Sequence, residues 1–198
     1  LDKAGTGVLT LNGVNTHLGG VRLGGGSLAL GGNSALGLGD LVVYGASSLQ
    51  PGSATSLNNN IVLNADLALA NASALTLSGA LSGASALVKN GAGILTLNGT
   101  NSHGSTRINA GGLVVGNNAA LGAGPLTVSG ASTLASSASV ALQNAIVLNS
   151  ALTLNGTETL TLNGPISAAG SLVKTGSGVL NLNGANTYTG GTTLAGGT

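Results

Sequence analysis

The chain contains four carboxylates that could serve in acid-base chemistry: Asp2, Asp40, Asp66 and Glu158. Glycoside hydrolysis needs two carboxyl groups facing one substrate, and a calcium site needs several oxygen ligands around one ion. None of the four recurs in the internal repeat described below, so none forms a column or a built pair. We interpret them as isolated surface charges, and we expect no catalytic residue and no enzymatic activity.

Two histidines and a tyrosine occupy one recurring position: His17, His103 and Tyr188. A metal site needs several such ligands converging on one ion. In a stack of coils these positions would be about four coils apart, or roughly 19 Å, so they cannot share an ion. We interpret each as a corner residue that packs over its own turn, and we expect no metal and no cofactor.

Lysine also recurs, at Lys3, Lys89 and Lys174. A catalytic amine requires burial or a charged neighbour that lowers its pKa. The pattern favours a solvated corner, or a charge that protects a strand edge, over such an amine.

The composition narrows the function classes. The 198 residues are 42% hydrophobic and 5% charged, with a net charge of +1 and no Cys, Met, Trp or Phe. Nucleic acids and anionic membranes require clustered basic residues, so we expect neither as a partner. No apolar run approaches the length of a membrane span, so we expect no membrane insertion by this segment. A core of Leu, Val, Ile and Ala without large aromatics favours regular stacked layers over a compact globule.

One unit repeats along the chain with a period of about 85 residues. LDKAGTGVLTLNGVNTH from Leu1 aligns with LVKNGAGILTLNGTNSH from Leu87 and with LVKTGSGVLNLNGANTY from Leu172. We divide the chain into repeats 1–86, 87–171 and 172–198, the last partial, within a single elongated body over 1–198. Since the sequence begins and ends within the repeat pattern, we interpret it as a segment of a longer protein.

Short runs such as ILTL from Ile94 alternate apolar and polar residues, which is typical of half-buried strands. These runs end repeatedly in Asn-Gly, whose residues accept positive φ and mark corners. A sandwich of antiparallel strands would also show this pattern. The repeat and the abundant glycine favour an all-β, right-handed parallel β-helix of about nine coils, each of roughly 20–22 residues, with four coils per unit. Residues 50–60, QPGSATSLNNN, are predicted to form a loop or a looser coil.

The recurring stretch resembles the passenger-associated transport repeat, also called the autotransporter-associated β-strand repeat, of type V secretion passengers. The signature residues in the second and third copies are Lys89, Gly91, Gly93, Leu95, Leu97, Gly99, Asn101, Lys174, Gly176, Gly178, Leu180, Leu182, Gly184, Asn186 and Tyr188. Two of the copies have histidine in place of the tyrosine. The middle copy also lacks one residue of the TYTGGTT corner.

The resemblance implies a β-helical passenger of a Gram-negative bacterium, secreted or displayed at the cell surface and anchored in the outer membrane through a domain outside this chain. We therefore expect a non-catalytic stalk or passenger body that assists vectorial folding during export. The alternative is an adhesive module that binds host or cell-surface glycans through Thr- and Asn-rich faces, or that stacks end to end with copies of itself.

Overall fold

The computed structural model describes residues 1–198. It is all-β, with 25 short strands and no helix. It accordingly contains no helix that could cross a membrane. The chain winds in coils of three sides, and each side carries a column of strands.

The three sides are named here in the order in which a coil visits them. The first side holds β1 (Asp2–Lys3), β3 (Val21–Leu23), β5 (Leu41–Val43), β8 (Ile61–Leu63), β11 (Leu81–Ser82) and, after an interruption, β18 (Val140–Leu142), β21 (Leu160–Leu162) and β24 (Leu180–Leu182). The second side holds β2 (Val8–Leu11), β4 (Gly26–Leu30), β6 (Ser47–Pro51), β9 (Leu67–Leu69), β12 (Ala86–Lys89), β14 (Ser105–Ile108), β16 (Leu126–Val128), β19 (Ile146–Leu148) and β22 (Ile166–Ser167). The third side holds β7 (Thr55–Leu57), β10 (Leu75–Leu77), β13 (Ile94–Leu97), β15 (Gly111–Val115), β17 (Ser132–Ser136), β20 (Leu152–Leu154), β23 (Leu172–Lys174) and β25 (Thr192–Leu194).

Every strand pairs in parallel with the strand one coil away. Leu41 pairs with Ile61, for example, and Leu126 pairs with Ile146, so the pairing partners stand one short coil apart in the sequence. The predicted β-helix is confirmed, with about 10 turns instead of the expected nine. At the usual spacing of parallel strands these turns form a rod about 48 Å long.

The core follows from the period-two pattern. Most three-residue strands bury their first and third residues and leave the middle one partly exposed, as in Leu75-Thr76-Leu77. The inward residues form one continuous cluster of 38 buried side chains that runs along the axis of the coils. Almost all are Leu, Ile or Val, which stack on their own kind from coil to coil and need no aromatic side chain to fill gaps.

Successive repeats begin on different sides of the coil. Lys3 lies in β1 on the first side, Lys89 in β12 on the second and Lys174 in β23 on the third. With the observed pairing, four coils contain fewer residues than one unit. The few residues left over carry the chain to the next side of the coil, so the next unit begins on that side. The prediction of four whole coils per unit is therefore wrong.

The strand columns are interrupted once in each full repeat. The third side has no strand before Thr55, and the first side has none between Ser82 and Val140. By contrast, residues 50–60, predicted to form a loop or a looser coil, do not form one continuous loop. They close β6 with a buried Pro51 and form β7, while 52–54 and 58–60 lie outside strands.

Candidate functional site

The recurring lysines are buried, contrary to the prediction of solvated corners. The residues are 8% exposed at Lys3, 0% at Lys89 and 4% at Lys174. In the sequence Leu-Val-Lys the strand alternation places the lysine on the inward side, next to the buried leucine two residues before it. The alternation was therefore the signal that could have revealed the burial.

Each lysine ammonium binds backbone carbonyls of two coils. Lys3 Nζ donates to Gly5 O at 2.8 Å in its own coil and to Gly25 O at 3.0 Å in the next. Lys89 Nζ likewise donates to Gly91 O and, at 3.3 Å, to Ala110 O of the next coil. We call this arrangement the lysine clamp; in the third copy Lys174 Nζ donates to Gly176 O and, at 3.2 Å, to Gly196 O.

No carboxylate balances the clamp charge. Burial lowers the pKa of Lys89 to about 8, while the carbonyl oxygens around Nζ favour the charged form. A buried ammonium without a counter-ion is costly unless it donates hydrogen bonds, and here it donates to carbonyls of two coils. Because Nζ bonds carbonyls of two successive coils, the clamp links those coils.

The signature glycines lie where backbones approach closely. A Cβ added at Gly91, Gly93 or Gly99 would lie 2.0–2.3 Å from a carbonyl oxygen of the coil below. The signature leucines Leu95 and Leu97 are fully buried in β13. In the third copy Leu180 and Leu182 lie in β24 and are partly buried. The glycines bring the coils together and the leucines fill the space between the sides.

Asn101 replaces a strand where the first side is interrupted. It is 5% exposed. Its Oδ1 accepts the Leu81 N–H at 2.8 Å from the coil below, and its Nδ2 donates to Ala120 O at 2.7 Å in the coil above. The amide thus takes the place of a peptide group in the interrupted ladder. In the other copies Asn15 makes the upper bond and Asn186 the lower one.

Two further asparagines in each full repeat support the interruption, and sequence reasoning missed them. Asn33 Oδ1 accepts the Ser56 N–H at 2.8 Å, and the equivalent Asn118 Oδ1 accepts the Ala141 N–H at 2.8 Å. Asn59 Nδ2 and Asn144 Nδ2 each donate to two glycine carbonyls, at 3.0 and 2.7 Å in both copies. The available signal was their recurrence 85 positions apart.

His103 is fully buried over its own turn. Its Nε2 lies 2.9 Å from Thr106 Oγ1, and that hydroxyl donates its only proton to Leu121 O at 3.1 Å. Nε2 must therefore carry the imidazole proton, which leaves Nδ1 as an acceptor without a partner. Burial lowers the pKa of His103 to about 4, so the ring is neutral at ordinary pH.

The equivalent residues keep the corner position with different contacts. Tyr188 is partly buried, and its hydroxyl bonds to Thr192 Oγ1. His17 is more exposed than His103, and its Nδ1 also has no partner. His103 and Tyr188 therefore contact their own turns, whereas the His17 ring lies beside Gly37 of the next coil; the three residues lie on three different sides of the rod.

All four carboxylates are exposed. Asp2 is not isolated as expected: it accepts the Tyr44 hydroxyl proton at 2.7 Å and lies 3.7 Å from Arg22 Nε, which joins three successive coils. The bond to Asp2 raises the pKa of Tyr44. No group of three or more His, Cys, Asp or Glu side chains could hold a metal ion.

Of the comparisons with known proteins, only the comparison with family models gives a match. No curated protein and no solved structure matches the chain significantly. The family model of the passenger-associated-transport-repeat matches residues 1–34, 87–115 and 172–198. Each matched segment contains one lysine clamp and one corner residue with its bridging asparagine. The family model thus matches the chain three times, once at the start of each unit.

Proposed function

We propose that this chain is a non-catalytic structural segment of a secreted or cell-surface autotransporter protein, where it forms a stalk or passenger body. The repeat family is one of autotransporter passengers, which supports export from the cell. A rod about 48 Å long without a catalytic cluster suits a spacer between the cell and a terminal domain. The anchoring domain would lie outside this chain.

We further propose that the repeat assists folding during export. The lysine clamp is the observation that carries this role, because one buried ammonium bonds its own coil to the next. Stacked repeats gain stability mainly from contacts with their nearest neighbours. A coil that docks and closes such a clamp opposes backward sliding of the chain through the export pore.

The test uses the full-length parent protein, displayed on its own cells. Leu95→Pro removes a ladder N–H from the central strand β13, which pairs on both sides. Ala92→Pro is the matched control, because Ala92 is exposed and its N–H makes no hydrogen bond. Surface labelling of intact cells is expected to fall strongly for Leu95→Pro and to stay near the wild-type level for Ala92→Pro. Undiminished display of Leu95→Pro would argue against the folding role.

The adhesive alternative remains a second proposal, with glycans or further copies of the chain as partners. Two amide-lined clefts on the surface favour the glycan version, since their chemistry suits hydroxyl groups. Outer-membrane anchoring in a Gram-negative cell is part of the proposal that the chain is a stalk or passenger body. Its test is the parent reading frame, which should encode a membrane anchor after this segment.

A further inference from the structure

Two equivalent clefts open beside the interruptions of the strand columns. Their volumes are about 270 and 450 Å³. Six lining residues of the first cleft have counterparts 85 positions later in the second cleft. In the first cleft they are Asn33, Ser34, Gly37, Leu38, Asn58 and Asn59. Because two copies of the unit build the feature independently and on different sides of the rod, it belongs to the unit and is no accident of one coil.

Each cleft holds one donor and one acceptor in fixed positions. Asn33 Oδ1 is held by the Ser56 N–H, so its Nδ2 remains a free donor. Asn59 Nδ2 is held by two glycine carbonyls, so its Oδ1 remains a free acceptor. The second cleft repeats this with Asn118 and Asn144. The backbone contacts fix the amide orientations, because an N–H requires the oxygen and a carbonyl requires the nitrogen.

A third carboxamide lies at each cleft without any bond inside the chain. It is Asn58 in the first cleft and Gln143 in the second, and both are exposed. No lining residue of either cleft carries a charge. An acidic or basic ligand would find no counter-charge, whereas a hydroxyl group could accept from one amide and donate to the next.

We propose that these clefts bind neutral saccharides, one sugar unit in each. This inference gives the glycan-binding alternative above a defined site, and it does not require the structural role. The fixed donor and acceptor reduce the ordering cost of binding, but no aromatic ring lines either cleft, so affinity is expected in the millimolar range. Since the clefts lie on different sides, one flat glycan surface cannot occupy both, and the two sites bind independently.

The test is a titration of the isotopically labelled chain followed by NMR of its side-chain amides. The probes are cellotriose, mannotriose and chitotriose, with trigalacturonate, in which every sugar carries a carboxylate, as the acidic comparison. We expect a neutral probe to shift the Nδ2 signals of Asn33 and Asn118 at millimolar concentration. The double variant Asn58→Ala/Gln143→Ala should lose these shifts at least severalfold.

The matched control is Asn64→Ala/Asn149→Ala. Both residues are exposed, make no side-chain hydrogen bond and lie outside the clefts, and they too are 85 positions apart. Shifts retained in the control, and lost only at the first cleft in Asn58→Ala, support the proposal. It is overturned if no neutral probe shifts these amides, if trigalacturonate shifts them equally, or if the cleft variants and the control behave alike.

Discussion

Replacement of Asn101 by alanine tests whether a side-chain amide replaces a strand in this fold. The change leaves two buried backbone groups without partners, the Leu81 N–H and the Ala120 carbonyl, now bonded at 2.8 and 2.7 Å. An orphaned buried group costs about 1–3 kcal/mol. We therefore expect Asn101→Ala to lower the free energy of unfolding by about 2–5 kcal/mol, a large share of the total stability of a typical domain.

The position of Asn101 adds a second expected effect. It bridges two coils near the middle of the rod, where the first side has no strand. Weakening this junction should uncouple the two halves, since repeat proteins unfold through their neighbour contacts. Urea unfolding followed by far-UV circular dichroism should show a lower midpoint and a shallower slope. Hydrogen exchange should rise at the Leu81 amide.

Asn109→Ala is the control for this experiment. Asn109 lies in the same region and bridges to Asn90 Oδ1 at 2.7 Å, but it is exposed to solvent. Water can replace its bond, so the expected loss is at most about 0.5 kcal/mol. If Asn101→Ala and Asn109→Ala lower stability equally, the buried amide does not act as a strand substitute and the reasoning fails.

Three further predictions follow from the buried groups. The pKa of His103 is lowered to about 4, so the unfolded chain binds more protons than the folded chain between about pH 4 and 6.5. The free energy of unfolding should therefore fall by up to about 3 kcal/mol as the pH is lowered through this window. His103→Gln should remove most of this pH dependence. Lys89 is fully buried, so brief acylation followed by mass spectrometry should leave it unmodified in the native protein and modify it in urea, and rapid native labelling would contradict the clamp. Gly122→Ala should lower the free energy of unfolding by at least about 2 kcal/mol more than Gly5→Ala in chemical unfolding. Both glycines have φ of +77°, but only at Gly122 would the new Cβ lie 2.4 Å from a carbonyl oxygen, that of His103. Equal losses would show that φ strain alone matters.

The strands and their stacking could be predicted because they follow from short-range patterns. Alternating Leu and Thr define the faces of a strand, and the repeat indicates that faces stack. The buried lysines were predicted wrongly, since lysine is almost never fully buried unless its charge is satisfied. One of the carbonyls that bind each ammonium belongs to the backbone of the next coil, which is distant in the sequence.

The bridging amides were missed for the same reason, because their bonding partners are distant in the sequence. Asn33 and Asn59 lie in segments rich in Asn, Gly and Ser, a composition that predicts loops. Their partners lie one coil away, and the repeat leaves the length of a coil open between roughly 20 and 22 residues. A coil near the middle of that range would make the unit four whole coils. The observed coil lies at its lower end and places successive units on different sides.

This mismatch between unit and coil has a structural consequence for the rod. Each repeat interrupts the strand column of one side, where amide side chains replace backbone bonds. If the unit were a whole number of coils, all interruptions would lie on one side, and that side would carry a recurring weak seam. With the observed phase, the interruption falls on the third side in the first repeat and on the first side in the second. The other two sides remain paired across each interruption, and the interruptions of successive repeats fall on different sides. A unit that is not a multiple of the coil therefore spreads the corners, and any ligand they bind, around the rod while keeping its stacking continuous.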